Sequence, residues 1–188
     1  MKKNVLFFAL TIMLTAVACN NGSKTDPKEI ADTKNEQKEE AGTLNKEIDD
    51  DAKFVTEVSG GVLMEIELGN YAQEHASSDA VKQFGATMVK DHGKDRENLK
   101  ALAESKNITI PSEPGDDFQK HIAELEKYEG AEFDKNYISF MVSDHKEDID
   151  EFEKEVDNGQ DQEIVAFATK GLPVLKEHLK MAEAIDDK

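Results

Sequence analysis

The sequence predicts an all-α protein, an up-down bundle of four main helices with a short extra helix between the second and third. Three observations carry that prediction. From Ala52 to Ile185, apolar residues recur at steps of three and four in four separate segments, and no segment sustains the alternation of a strand. The segments are joined by mostly short connections, which make successive helices antiparallel. Finally, Met88-Val89-Lys90-Asp91-His92 returns as Met141-Val142-Ser143-Asp144-His145. In both copies an aromatic stands four residues before the methionine (Phe84, Tyr137) and an aspartate three after the histidine (Asp95, Asp148).

The first predicted helix carries Phe54, Val58, Gly61, Glu65, Leu68 and Ala72 on one stripe, and Ser77-Ser78-Asp79 supplies the cap that opens the second. The second carries Val81, Phe84, Met88, His92, Leu99 and Leu102, after which Pro111 and Pro114 exclude a helix. A short helical element fits 116–128, leading up to Gly130. The third main helix carries Phe133, Tyr137, Met141, His145, Phe152 and Val156, and Asp157-Asn158-Gly159 ends it. The fourth runs from about Gln162 through Val165, Leu172, Leu175, His178 and Ile185, with Pro173 expected to divide or kink it.

Ahead of this domain, at 51–188, stand two segments of other character. Residues 1–19 read as an export signal: Lys2 and Lys3, an apolar run from Val5 to Leu14, then Ala16 and Ala18 beside the sole cysteine, Cys19. The run is too short to span a bilayer. The order Leu14-Thr15-Ala16-Val17-Ala18-Cys19 resembles the lipobox of bacterial lipoproteins, which implies lipidation of Cys19 and a membrane partnership through that lipid. Its departure is Ala16, where a larger aliphatic residue is usual, and ordinary signal cleavage leaving a free thiol is the alternative. Asn20 gives no inner-membrane retention signal of the aspartate kind, which favours the outer membrane, with a periplasmic location as the alternative. Residues 20–50 are charged and almost devoid of apolar side chains, so the expectation is a disordered tether.

The formal net charge is −18, and losing Lys2 and Lys3 with the leader makes it two units more negative. Such a surface repels phosphate backbones, so nucleic acid is not an expected partner. A protein partner is not identifiable from sequence.

Each main helix places one polar residue on its apolar stripe: Glu65, His92, His145 and His178. Spacings of three and four from apolar neighbours turn all four toward the bundle axis. At matching depth, three imidazoles and a carboxylate form a candidate site for one divalent transition metal, since calcium and magnesium prefer oxygen shells. The competing reading is a set of core histidines satisfied by carbonyls or carboxylates, with no metal. Asp95 and Asp148 are candidates to orient the imidazoles from behind, and Tyr137 is a buried phenol in need of a partner. Asp91 and Asp144 are expected to border the stripe, and His75 and His121 to face solvent near helix ends.

The motifs 54–55, 60–61 and 65–69, Ala80-Val81-Lys82 through His92, Gly130-Ala131-Glu132-Phe133 through Tyr137, His145, Leu172-Pro173 and His178-Leu179 resemble a bacterial envelope family. Its members carry outer-membrane labels, a domain of unknown function and a ferritin-like bundle; the resemblance covers about 51–184. It implies a ferritin-like fold and an exported location, and no established activity. The sequence departs from the di-iron pattern of the wider ferritin-like proteins, because Val89 and Val142 stand where a Glu-x-x-His motif needs glutamate. A carboxylate-poor, mononuclear site, or none, is therefore the expectation.

Three functions follow: an envelope metal-binding bundle concerned with metal handling or stress tolerance, a metal-free interaction bundle, or a metal-dependent oxidoreductase. No catalytic residue can be named for the third, so an enzyme is not the favoured reading.

Overall fold

The structure, a computed structural model, describes residues 25–186. The predicted leader and Cys19 lie outside the described residues. Six α-helices follow in order: α1 Pro27–Glu40, α2 Asp49–His75, α3 Asp79–Lys106, α4 Asp116–Leu125, α5 Gly130–Asn158 and α6 Gln162–Asp186. The four long ones, α2, α3, α5 and α6, form the bundle, and α4 is the short element expected between the second and third. Among the described residues no helix is long and apolar enough to cross a membrane.

Local chemistry sets the helix ends. Ser78 accepts from the Ala80 amide at the start of α3, and Asn107 ends that helix in the left-handed conformation at φ 58°. Asp49, Asp50 and Asp51 fill the first turn of α2, where negative charge meets the positive end of the helix dipole. Two carboxylate clamps join the halves of the bundle. Asp134 on α5 accepts from the Ser77 and Ser78 amides of the α2–α3 turn at 3.0 and 2.8 Å. Asp51 on α2 accepts from the Gln160 and Asp161 amides of the α5–α6 turn at 3.0 and 2.6 Å.

Of the expected tether, residues 20–24 lie outside the described residues, and 25–50 hold α1 and a 3-10 turn, Lys46–Ile48. The reason is polar docking rather than apolar burial. Asn35 donates to the Thr109 carbonyl at 3.0 Å and accepts from the Thr109 amide at 2.6 Å, while Lys38 donates to the Asn107 carbonyl at 2.7 Å. Ala31, Leu44 and Ile48 then add a few buried apolar groups. Pro173 does not divide the last helix, since α6 continues through it.

The helices α2 and α3 meet at glycines. A Cβ on Gly85 would lie 2.7 Å from the Gly69 carbonyl oxygen and 2.8 Å from the Ala72 Cβ. Backbone cannot yield there as a side chain would, so Gly85→Ala is expected to lower stability by about 1–3 kcal/mol through overpacking. Gly93, with open space around its missing Cβ, is the internal control: Gly93→Ala should stabilise α3 by up to about 1 kcal/mol. Thermal melting of the two variants checks both signs.

The core is split. One apolar cluster contains Val58, Val62, Leu99, Ile149, Phe152 and Leu175. The other contains Met64, Leu68, Met88, Tyr137, Met141 and Ala182. In every long helix the change from one cluster to the other falls beside the polar residue of its stripe. A polar layer therefore crosses the bundle at one depth.

Candidate metal centre

That layer brings together all four residues singled out by periodicity. Glu65, His92, His145 and His178 are each at most 2% exposed. Glu65 Oε2 lies 3.2 Å from His92 Nε2, and Glu65 Oε1 lies 3.6 Å from His145 Nε2. The three imidazole centroids are 6.0, 5.2 and 5.4 Å apart, in edge-on arrangements. One nitrogen from each of His92, His145 and His178 falls within 4.8 Å of the others.

Two of the rings are held from behind. His145 Nδ1 donates to the Met141 carbonyl at 3.1 Å; a carbonyl only accepts, so Nδ1 carries the proton and Nε2 is left with its lone pair. His178 Nε2 donates to Asp91 Oδ2 at 3.3 Å, leaving Nδ1 free. This is the arrangement in which outer partners fix the tautomer of a metal-binding histidine. Asp91 thus has a role that sequence spacing concealed, because it sits 100° around α3 from His92 and reaches across to α6. Burial alone would raise its carboxyl, but hydrogen bonds from His178 and Lys90 outweigh that and hold it below the usual range.

The other predicted partners divide. Asp95 Oδ2 is 3.9 Å from His92 Nδ1, within ion-pair reach and too far for a hydrogen bond. Asp148 stands with Glu65, Asp144 and His145 in a second group, one ligand atom of each within 4.8 Å of the others. Asp144 and Asp148 flank His145 on α5 and face Glu65, so carboxylates crowd one side of the histidine layer. The Tyr137 hydroxyl is buried without a hydrogen-bond partner, and burial, then the charges of Glu65 and Asp144, push its phenol up. His121 is exposed, as expected. His75 is half-buried, stacked on Tyr71 with centroids 3.9 Å apart.

Electrostatically the layer is frustrated. Burial, then the neighbouring His178 and His145, holds His92 well below the ordinary imidazole value. His145 is pushed down to about 3 by burial first and His178 second. Burial also raises the carboxyls, Glu65 and Asp148 strongly and Asp144 to about 7. Both His92 nitrogens, His145 Nε2, His178 Nδ1 and Glu65 Oε1 have no hydrogen-bond partner. The 3.2 Å His92–Glu65 approach is among these because its direction is wrong for a hydrogen bond, so proximity alone does not satisfy either group. Each such buried orphan costs about 1–3 kcal/mol.

A cation taking one nitrogen of each histidine would satisfy most of these atoms and leave one His92 nitrogen. Imidazole suits zinc, copper, iron and nickel, and zinc–nitrogen bonds of about 2.0–2.1 Å would require the trio to contract inward. The residues fit such an ion, with His92, His145 and His178 as ligands and Glu65 as the carboxylate between two of them.

Searches of the curated proteins and of the solved structures return no match. A family model does match, over residues 33–185, that is, α1 from its second turn to the last turn of α6. The polar layer and both halves of the core lie within that span, and the chain belongs to the family described as a domain of unknown function, DUF4142.

Proposed function

We propose that this protein is an exported, lipid-anchored envelope bundle that binds one divalent transition metal through His92, His145 and His178 with Glu65, and that it serves metal handling or stress tolerance. The observation that carries the metal reading is one imidazole nitrogen from each of three helices within 4.8 Å of the others, in a layer where each of the three rings also has a buried nitrogen without a hydrogen-bond partner. A metal-free core would be expected to pair these atoms internally. Export and anchoring are supported by the leader pattern and by Cys19 in its lipobox-like setting. The ferritin-like character rests on the family resemblance and on the four long antiparallel helices.

The test is metal analysis of protein purified without a histidine tag, stripped, and exposed in turn to zinc, copper, iron and manganese. One tightly held equivalent is expected, and His92→Ala with His145→Ala should abolish it. Negligible binding by the parent protein, or variants that alter melting and leave uptake intact, would overturn the metal centre in favour of a structural bundle. Labelling of Cys19 by a fatty-acid probe in a bacterial host tests the anchor separately, with Cys19→Ser as the control.

A further inference from the structure

The carboxylate group lies beside the histidine trio and shares His145 with it. Asp144 and Asp148 project from α5 on either side of His145 and face Glu65 from α2, with one ligand atom of each of the four within 4.8 Å of the rest. The two groups share only His145, so Asp144 and Asp148 converge on a different point from His92 and His178. His145 has a single nitrogen to give, because Nδ1 is committed to the Met141 carbonyl. One ion therefore leaves part of the constellation unused.

Two further features point to a ligand. Glu65 Oε1 and Asp144 Oδ2 are buried with no hydrogen-bond partner, and Glu65 is 2% exposed as a residue. A cavity of ≈ 120 Å³ lies against Glu65, Asp144 and Asp148 and reaches His92 and Asp95, room for an ion with a few waters. Its rim carries Glu57, Glu147 and Glu151, which attract cations and repel anions. No lysine or arginine lines it.

We propose that this cavity is a second cation site, taking a hard divalent ion of the manganese or magnesium class through Asp144 and Asp148, with the Glu65 carboxylate shared with the histidine-bound metal. The donor set decides the class, since oxygen-rich shells suit magnesium, calcium and manganese while the histidine trio suits zinc or copper. The positions of the two Glu65 oxygens, one at His92 and the other at His145, let one carboxylate serve both centres. The sharing rests on the histidine centre proposed above; the carboxylate site does not.

The experiment uses the tag-free full chain, stripped of metal and then given one equivalent of zinc. Manganese(II) is titrated in, and the free-ion paramagnetic resonance signal counts what is bound. The parent protein is expected to take one manganese while keeping its zinc. Asp144→Asn with Asp148→Asn should keep zinc and take no manganese; an unchanged far-ultraviolet dichroism spectrum excludes misfolding. Zinc held with no manganese taken up would overturn the second site alone. Loss of both metals in the folded variant would mean a single merged centre, and unchanged manganese uptake would mean a site elsewhere. Either outcome overturns the proposal. Manganese bound through Asp144 and Asp148 with zinc refused would uphold the carboxylate site and overturn the histidine centre and the sharing.

Discussion

Zinc at about a thousandfold excess over its dissociation constant is expected to raise the melting temperature of the stripped protein by roughly 8–16 °C. Ligand linkage at that excess contributes about 4 kcal/mol, and a domain of this size shifts by about 2–4 °C per kcal/mol. The effect is large because binding converts the least favourable part of the interior into its most constrained part. In the metal-free protein, five nitrogen and oxygen atoms of the four central side chains have no hydrogen-bond partner. A metal held by one nitrogen of each histidine and the carboxylate would tie α2, α3, α5 and α6 at one level. His92→Ala with His145→Ala should melt at a temperature that zinc does not change. Scanning calorimetry at several zinc concentrations checks the dependence, and a melting temperature of the parent protein that ignores zinc would contradict the centre.

Acidity is the second strong lever, acting on the metal-free protein. Asp144, Glu151 and Glu155 are each pushed up to about 7, chiefly by burial, and Glu65 and Asp148 are raised as well. In the unfolded chain these groups ionise near their ordinary values of about 4. Between about pH 4 and 7 the folded state therefore binds more protons, so its stability falls as pH rises through that window. The histidines oppose this. With folded values depressed, to about 3 at His145, their contribution is present above the unfolded value of about 6.5 and is lost as pH falls below it. From pH 8 down to about 6.5 only the carboxylates act, and the metal-free protein should melt progressively higher. Its optimum is expected at roughly pH 5–6, where the two trends cross. Glu151 is partly open to water, so its share is screened, and the deeply buried Glu65 weighs most. Saturating metal should move the optimum upward, because it favours ionised carboxylates and neutral imidazoles. Thermal melting from pH 4 to 9, with and without zinc, gives both profiles; metal-free protein that gains stability between pH 6 and 8 would show that the carboxylates are ionised and paired in the fold.

Much of this was readable in the sequence, and for a definite reason. Steps of three and four identify both the helices and the inward face, so a polar residue on that face is marked by its neighbours. Glu65, His92, His145 and His178 could be found that way because each interrupts an otherwise apolar stripe. Asp148 was marked as a neighbour of the imidazoles by its step of three from His145, but its approach to Glu65 was not, and Asp144 was missed, since on an acidic chain an aspartate 100° from the stripe looks like any solvated one. Only the distance between α2 and α5 brings the two aspartates to Glu65. Asp91 was hidden for a related reason, as its partner lies on α6 and periodicity says nothing about reach between helices. The helix α1 escaped notice because Asn35 and Lys38 attach it to the 107–109 backbone by hydrogen bonds, which leave no apolar signature. The unbroken path of α6 through Pro173 is equally a matter of tertiary support, which outweighs a local preference worth about 3 kcal/mol.

The docking of α1 also shortens the leash. With Cys19 as the lipidated residue, only seven residues, 20–26, stand between it and Pro27, eight steps along the chain. A fully extended chain of that length spans at most roughly 26–29 Å. The bundle would then ride close against the bilayer rather than roam at the end of a long floppy cord. Any donor or acceptor of its cargo would have to meet it there, within about one domain diameter of the lipid headgroups.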